Sequence, residues 1–167
     1  DIRDLRRWFI NAAKRSKEAG FDLICLYGAH GFGIFQHFLS RATNHRTDEY
    51  GGSLENRSRF VNEVISDMKD AVGDKMGITL RVSLDETIGE LGFSNSEVRD
   101  FIEMNRDLPD LWDLAHGTWE DCSGPSRFKE EGAQEQLVRG IHELTDKPIV
   151  GVGRFTSPDV MTKMIRS

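Results

Sequence analysis

The chain has 167 residues, 38% hydrophobic and 30% charged, with a formal net charge of −6. This is the composition of an ordinary soluble globular protein with a sizeable core, and its acidic balance argues against nucleic-acid or anionic-membrane partners. No apolar run approaches the roughly twenty residues needed to span a bilayer, the opening DIRDLRRWF lacks a signal peptide's apolar segment, and Cys25 and Cys122 form no CxxC pair, so a reducing cytoplasmic setting fits and this segment cannot supply four thiolates for an iron–sulfur cluster.

Ile2 to Gly20 reads as a helix. Leu5, Trp8, Phe9, Ala12 and Ala13 recur at spacings of three and four against an Arg/Lys face. Asp22 to Gly28 is a short apolar strand. From Tyr27 to Phe60 the chain is dense in Gly, His, Arg, Asp and aromatics without a regular apolar period, and is closed by Gly51-Gly52. Loops of that length inside a domain are usually functional, and this one leaves the end of a strand. Ser53 can cap a following helix that turns Phe60, Val64, Ile65 and Met68 inward and stops at Gly73.

Met76 to Leu84 is a second strand, with Ile78, Leu80 and Val82 on one side and Thr79, Arg81 and Ser83 on the other. A helix begins near Ser94-Asn95 and uses Val98, Phe101 and Ile102. Leu111 to Ala115 is a third strand, followed by the loop HGTWEDCSGPSRF. Ala133 to Leu144 is read as one helix, Pro148 to Val152 as a fourth strand, and Ser157-Pro158 opens a last helix with Pro at its favoured first position. Short apolar strands alternating with amphipathic helices predict an α/β fold with a parallel sheet. No GxGxxG follows the first strand, so a dinucleotide-binding Rossmann half has no support. The unusual residues follow the strands, as in a (β/α)-barrel. Four strand-helix units fall short of eight, so residues 1–167 are expected to be a fragment of one larger barrel domain.

The run LYGAHGFGIFQHFLSRATNHRTDEYGGSLENRSRF closely resembles the signature of the old yellow enzyme superfamily of flavin-dependent oxidoreductases. Within it, the Tyr-Gly-Ala-His at positions 27 to 30 resembles the branch of trimethylamine, dimethylamine and histamine dehydrogenases. Arg81, Leu111-Trp112-Asp113, the segment from Gly124 to Phe128, and Gly151-Val152-Gly153-Arg154 also match the family in order. The resemblance implies a (β/α)8 TIM barrel binding FMN, of which this piece spans the third helix to the seventh. It implies a [4Fe-4S] cluster outside this segment, an electron acceptor such as an electron-transfer flavoprotein or NAD(P), and a homo-oligomer at full length.

Residue by residue, it implies that Arg81 faces the flavin's pyrimidine edge, where a cation stabilises the reduced ring; the competing reading is an ion pair with Asp113. Tyr27 and His30 become a phenol–imidazole pair at the substrate, while His37, His45 and His142 read as packing or surface residues. Trp119 becomes part of an aromatic cation site, with Trp8 and Trp112 read as core. The branch's third catalytic group, an aspartate, aligns with Cys122, with Asp121 beside it as the candidate; without an anionic partner His30 is expected to have a lower pKa. Gly153 and Arg154 suit the FMN phosphate. Arg46, Asp48, Tyr50, Asn56, Arg57 and Arg59 read as charges that fix the rim loop.

The expected function is oxidation of a secondary or tertiary N-methylated amine to an iminium, which water hydrolyses to an aldehyde and a demethylated amine. The rival flavin reading is NAD(P)H-dependent reduction of an activated C=C bond. It needs a tyrosine two residues after His30, where this chain has Phe32. A non-enzymatic reading, an inactive half-barrel, predicts that the segment alone keeps no stoichiometric yellow chromophore.

Overall fold

The computed structural model describes residues 1–166. Helix α1 (Ile2–Glu18) starts on Asp1, whose carboxylate accepts from the Arg3 N–H at 3.2 Å. Its stripe of Leu5, Phe9 and Ala13 packs on the core, with Ala13 fully buried. Trp8, expected in the core, is instead 59% exposed; at 3.6 residues per turn it sits roughly 100° from the centre of that stripe. Arg6 fastens α1 to α3 (Leu54–Val72) through Glu63 at 2.9 Å and Asp67 at 2.6 Å.

Strands β1 (Leu23–Gly28), β2 (Gly77–Ser83), β3 (Leu111–Ala115) and β4 (Ile149–Gly151) form one parallel sheet in the order β1-β2-β3-β4, each within two residues of its predicted bounds. Helix α3 begins at its predicted cap, Ser53, and α4 (Asn95–Met104) begins where expected, capped by Ser94. The sheet is two-faced. Ile78, Leu80, Val82, Trp112 and Leu114 are at most 1% exposed in the core. On the other face the register sets Tyr27 beside Arg81, Arg81 beside Asp113, and Asp113 beside Val150. Trp112 is core, as expected.

Two elements differ from expectation. The long stretch after β1 contains a seven-residue helix, α2 (Gly33–Leu39), because Phe35 and Leu39 reach the core and Phe35 and Phe38 stack on Phe60 at 5.6 and 4.5 Å. The predicted helix from Ala133 to Leu144 is broken. Its first piece, α6 (Glu135–Val138), ends before Gly140, which adopts φ 75°, and a single 3₁₀ turn follows at Ile141–Glu143. The loop after β3 carries the short α5 (Trp119–Ser123), capped by Thr118. Helix α7 (Pro158–Arg166) begins on its predicted proline. No helix among the described residues is long and apolar enough to cross a membrane.

Candidate active site

The strand ends converge on a cavity of about 290 Å³ lined by His30, Arg81, His116, Cys122, Gln134, Gly153 and Arg154, among others. A larger cavity of about 380 Å³ lies between β4 and α7. Its walls are apolar apart from His142, and it holds none of the rim residues. The candidate site residues His30, Arg81, Gly153 and Arg154 gather at the smaller one.

His30 is held through both its backbone and its ring. Its N–H donates to Ser83 Oγ at 2.8 Å, and that hydroxyl donates to the Gly117 carbonyl at 3.0 Å, so the loops after β1 and β3 are tied through β2. A bridge between His30 and Thr118 adds a second tie. The ring's Nδ1 lies 3.1 Å from the His116 carbonyl. His30 and Arg154 both have positive φ, 60° and 53°, a conformation L-residues rarely adopt and one that collects at functional positions. Burial lowers the His30 pKa, the Gly117 and His116 carbonyls oppose that shift, and the Arg81 charge reinforces it. The imidazole is neutral near pH 7.

Tyr27 stands beside it, with ring centroids 6.2 Å apart, and the Arg81 guanidinium lies 6.0 Å from the centre of the phenol ring. Desolvation raises the Tyr27 pKa, against the pull of Arg81, so the hydroxyl keeps its proton. Arg81 points into the same cavity and also donates from Nη1 to Asp113 at 2.9 Å. The ion pair with Asp113 is therefore present: Nη1 is committed to it, and Nε is buried with no partner.

Asp121 is not brought to His30. Its carboxylate accepts from the Thr87 hydroxyl, and from Thr118 at 3.4 Å. These bonds, Thr87 foremost, hold its pKa below the usual carboxylate range. Cys122 lines the cavity instead, its Sγ donating to the Trp119 carbonyl at 3.1 Å. The absence of a carboxylate at Nδ1 goes with the lowered pKa of His30. Trp119 is 60% exposed and meets Phe32 edge-on at 5.8 Å, forming an open aromatic corner at the rim.

Sequence reasoning missed two cavity residues. His116 carried a faint signal, as the first residue after an apolar strand. Gln134 carried none, because it sat in a stretch read as plain helix. Both have a buried polar atom without a partner, Nδ1 in His116 and Oε1 in Gln134. Among the described residues, no group of three His, Cys, Asp or Glu side chains could hold a metal ion.

Set beside known proteins, residues 1–167 match the sequence profile of the NADH:flavin oxidoreductase / NADH oxidase family. The structure superposes on histamine dehydrogenase from Rhizobium sp. 4-9 with a TM-score of 0.95 and 82% identity, covering 99% of this chain and 24% of that one. Dimethylamine dehydrogenase from Hyphomicrobium sp. (strain x) is 37% identical over 172 residues, 100% of this chain and 23% of its own length. An NADPH dehydrogenase from Bacillus subtilis (strain 168) is 52% identical over 177 residues, 99% of this chain and 47% of its own length. The chain therefore spans about a quarter of the first two proteins, and its four strand-helix units are part of a TIM-barrel wall.

Proposed function

The chain belongs to the NADH:flavin oxidoreductase / NADH oxidase family, and from that membership we propose that it is one wall, third helix to seventh, of a single FMN-binding barrel in an amine-oxidising enzyme. The observation that carries the amine reading is the 82% identity to histamine dehydrogenase across the whole site-bearing segment. That likeness puts a primary amine of the histamine type at the head of the substrate classes, ahead of the N-methylated amines expected from sequence. Phe32 supports the same choice: at the position where ene reduction calls for a proton-donating tyrosine, it has no hydroxyl.

The cavity fits the cofactor. Buried polar atoms without partners are costly, and Arg81 Nε, His116 Nδ1 and Gln134 Oε1 all belong to residues that line it. Arg81 suits the pyrimidine edge, while Gly153 and the Arg154 guanidinium suit the phosphate. Bound FMN supplies the acceptor for a hydride equivalent from the carbon next to the amine nitrogen.

The protein's own groups prepare the amine. A carbonyl can only accept, so His30 carries its hydrogen on Nδ1, towards His116, and offers the Nε2 lone pair to the substrate's N–H. Removing the ammonium proton returns an electron pair to nitrogen, and that pair forms C=N as the hydride leaves. Tyr27, protonated, donates a hydrogen bond at the same rim. Trp119 and Phe32 offer aromatic faces to the cation, an attraction of roughly 0.5–2 kcal/mol. Water then adds to the iminium, giving an aldehyde and ammonia or a smaller amine. The electron acceptor, an electron-transfer flavoprotein or NAD(P), the [4Fe-4S] cluster and homo-oligomer contacts would involve regions beyond this chain.

Anaerobic mixing of the longer protein that carries this segment tests the reading. Histamine or dimethylamine is expected to bleach the flavin. Failure of every amine, together with bleaching by NADPH and recovery with an enone, would establish the ene-reductase instead.

A further inference from the structure

We infer that Gln134 holds the ribityl chain of the bound flavin. The inference rests on the FMN reading above and adds a ligand-binding residue to it. The cavity is lined from β2 and from the loop after β4, two strands apart in the sheet. Arg81, on β2, is suited to the ring's pyrimidine edge. Gly153 and Arg154, after β4, are suited to the phosphate. Gln134 lines the same cavity, in the segment that enters α6. That segment is bound to the loop after β4, because the Gly132 N–H donates to the Gly153 carbonyl at 2.9 Å.

FMN is a ring and a phosphate joined by a chain bearing three hydroxyls. Gln134 shares the cavity with the residues suited to both end groups, so the joining chain is the part of FMN assigned to it. The chemistry agrees. Gln134 is only 4% exposed, and its Oε1 has no hydrogen-bond partner. Its main-chain carbonyl is already used by the Leu137 and Val138 N–H groups of α6, so the side-chain amide is the group left to bond. An amide both donates and accepts, as a hydroxyl does, and being uncharged it suits a hydroxyl better than a phosphate.

Three flavins separate the parts: lumiflavin has the ring alone, riboflavin adds the ribityl chain, and FMN adds the phosphate. Dissociation constants are read from flavin fluorescence on the deflavinated longer protein. Gln134→Met is expected to weaken riboflavin and FMN by roughly tenfold and lumiflavin by less than twofold. Arg154→Ala is expected to weaken FMN alone. Gln134→Leu serves as a second variant, and circular dichroism confirms that each apoprotein is folded. Equal weakening of lumiflavin and riboflavin, or unchanged binding of all three flavins, overturns the assignment. A wild-type protein that binds none of the three overturns the FMN reading itself, and this assignment with it, at the control.

Discussion

The loop after β1 and the loop after β3 both border the cavity, yet they are built in opposite ways. The first is saturated with internal bonds. Asn44 Nδ2 donates to the Phe38 and Tyr50 carbonyls at 2.6 and 2.8 Å, Arg46 pairs with Asp48, and Arg59 reaches the Glu49 carbonyl at 2.8 Å. Arg57, 2% exposed, bonds the Leu39 carbonyl, the Gly52 carbonyl at 3.1 Å and Glu97 at 2.6 Å. Buried Glu86, from the β2 loop, receives Gln36, Ser40 and the Phe93 N–H. A Cβ on Gly51 would lie 2.0 Å from the Arg46 carbonyl, so the turn closes only on glycine. The second loop, beyond its ties to His30, Ser83 and Thr87, bonds mainly to itself over short range and exposes Trp119 and Phe128, and unpartnered atoms remain on its His116 and on Gln134 in the segment entering α6. The charged motif from Arg46 to Arg59 is thus mechanical. The less recognisable second stretch keeps buried polar atoms without partners.

Substitutions can break or sharpen that contrast, and the largest effect is expected at the junction between the loops. His30→Gln should lower the rate of flavin reduction by amine roughly 10²–10⁴-fold while leaving the fold intact by circular dichroism. The same variant tests linkage. With its folded pKa below its unfolded value, His30 takes up a proton first in the unfolded chain, so stability rises with pH between the two values and falls as pH drops below the ordinary imidazole range. The slope from one such group is at most about 1.4 kcal/mol per pH unit, and His30→Gln should remove it in urea titrations across that window.

Arg57→Ala attacks the saturated loop. It leaves Glu97 only the longer Arg41 contact at 3.7 Å and strands two carbonyls, and should cost roughly 3–5 kcal/mol in chemical denaturation. A loss below 1 kcal/mol would show that the first loop is not the scaffold it resembles. Trp119→Ala attacks the open loop and should move stability by no more than about 0.5 kcal/mol. It should raise the KM for an amine roughly two- to thirtyfold. An unchanged KM would remove the aromatic corner from the cation site.

How much could be read from sequence follows the same division. The strand with Ile78, Leu80 and Val82 against Thr79, Arg81 and Ser83 shows its two faces by alternation, so a cation on the working side was visible at once. The cap Ser53 and the helix start at Ser94-Asn95 depend on residues close in sequence and were equally plain. Helix α2 was not, because two turns supply only Ile34-Phe35 and Phe38-Leu39, too short a run for a period to emerge. Gly140 stood inside a helical pattern that its left-handed backbone interrupts. Gln134 reaches the cavity only because Gly132 is joined to Gly153, a contact between segments that no local pattern encodes. Asp121 was adjacent in sequence to the position sought, yet the turn of α5 directs it to Thr87.

The partner of His30 Nδ1 is a peptide carbonyl and not a side chain, and that choice has an evolutionary consequence. A carbonyl is present whatever amino acid occupies position 116, so drift at that position leaves the imidazole's orientation and tautomer unchanged. Side chains of the β3 loop can therefore change across related sequences while the imidazole of His30 keeps the same aim.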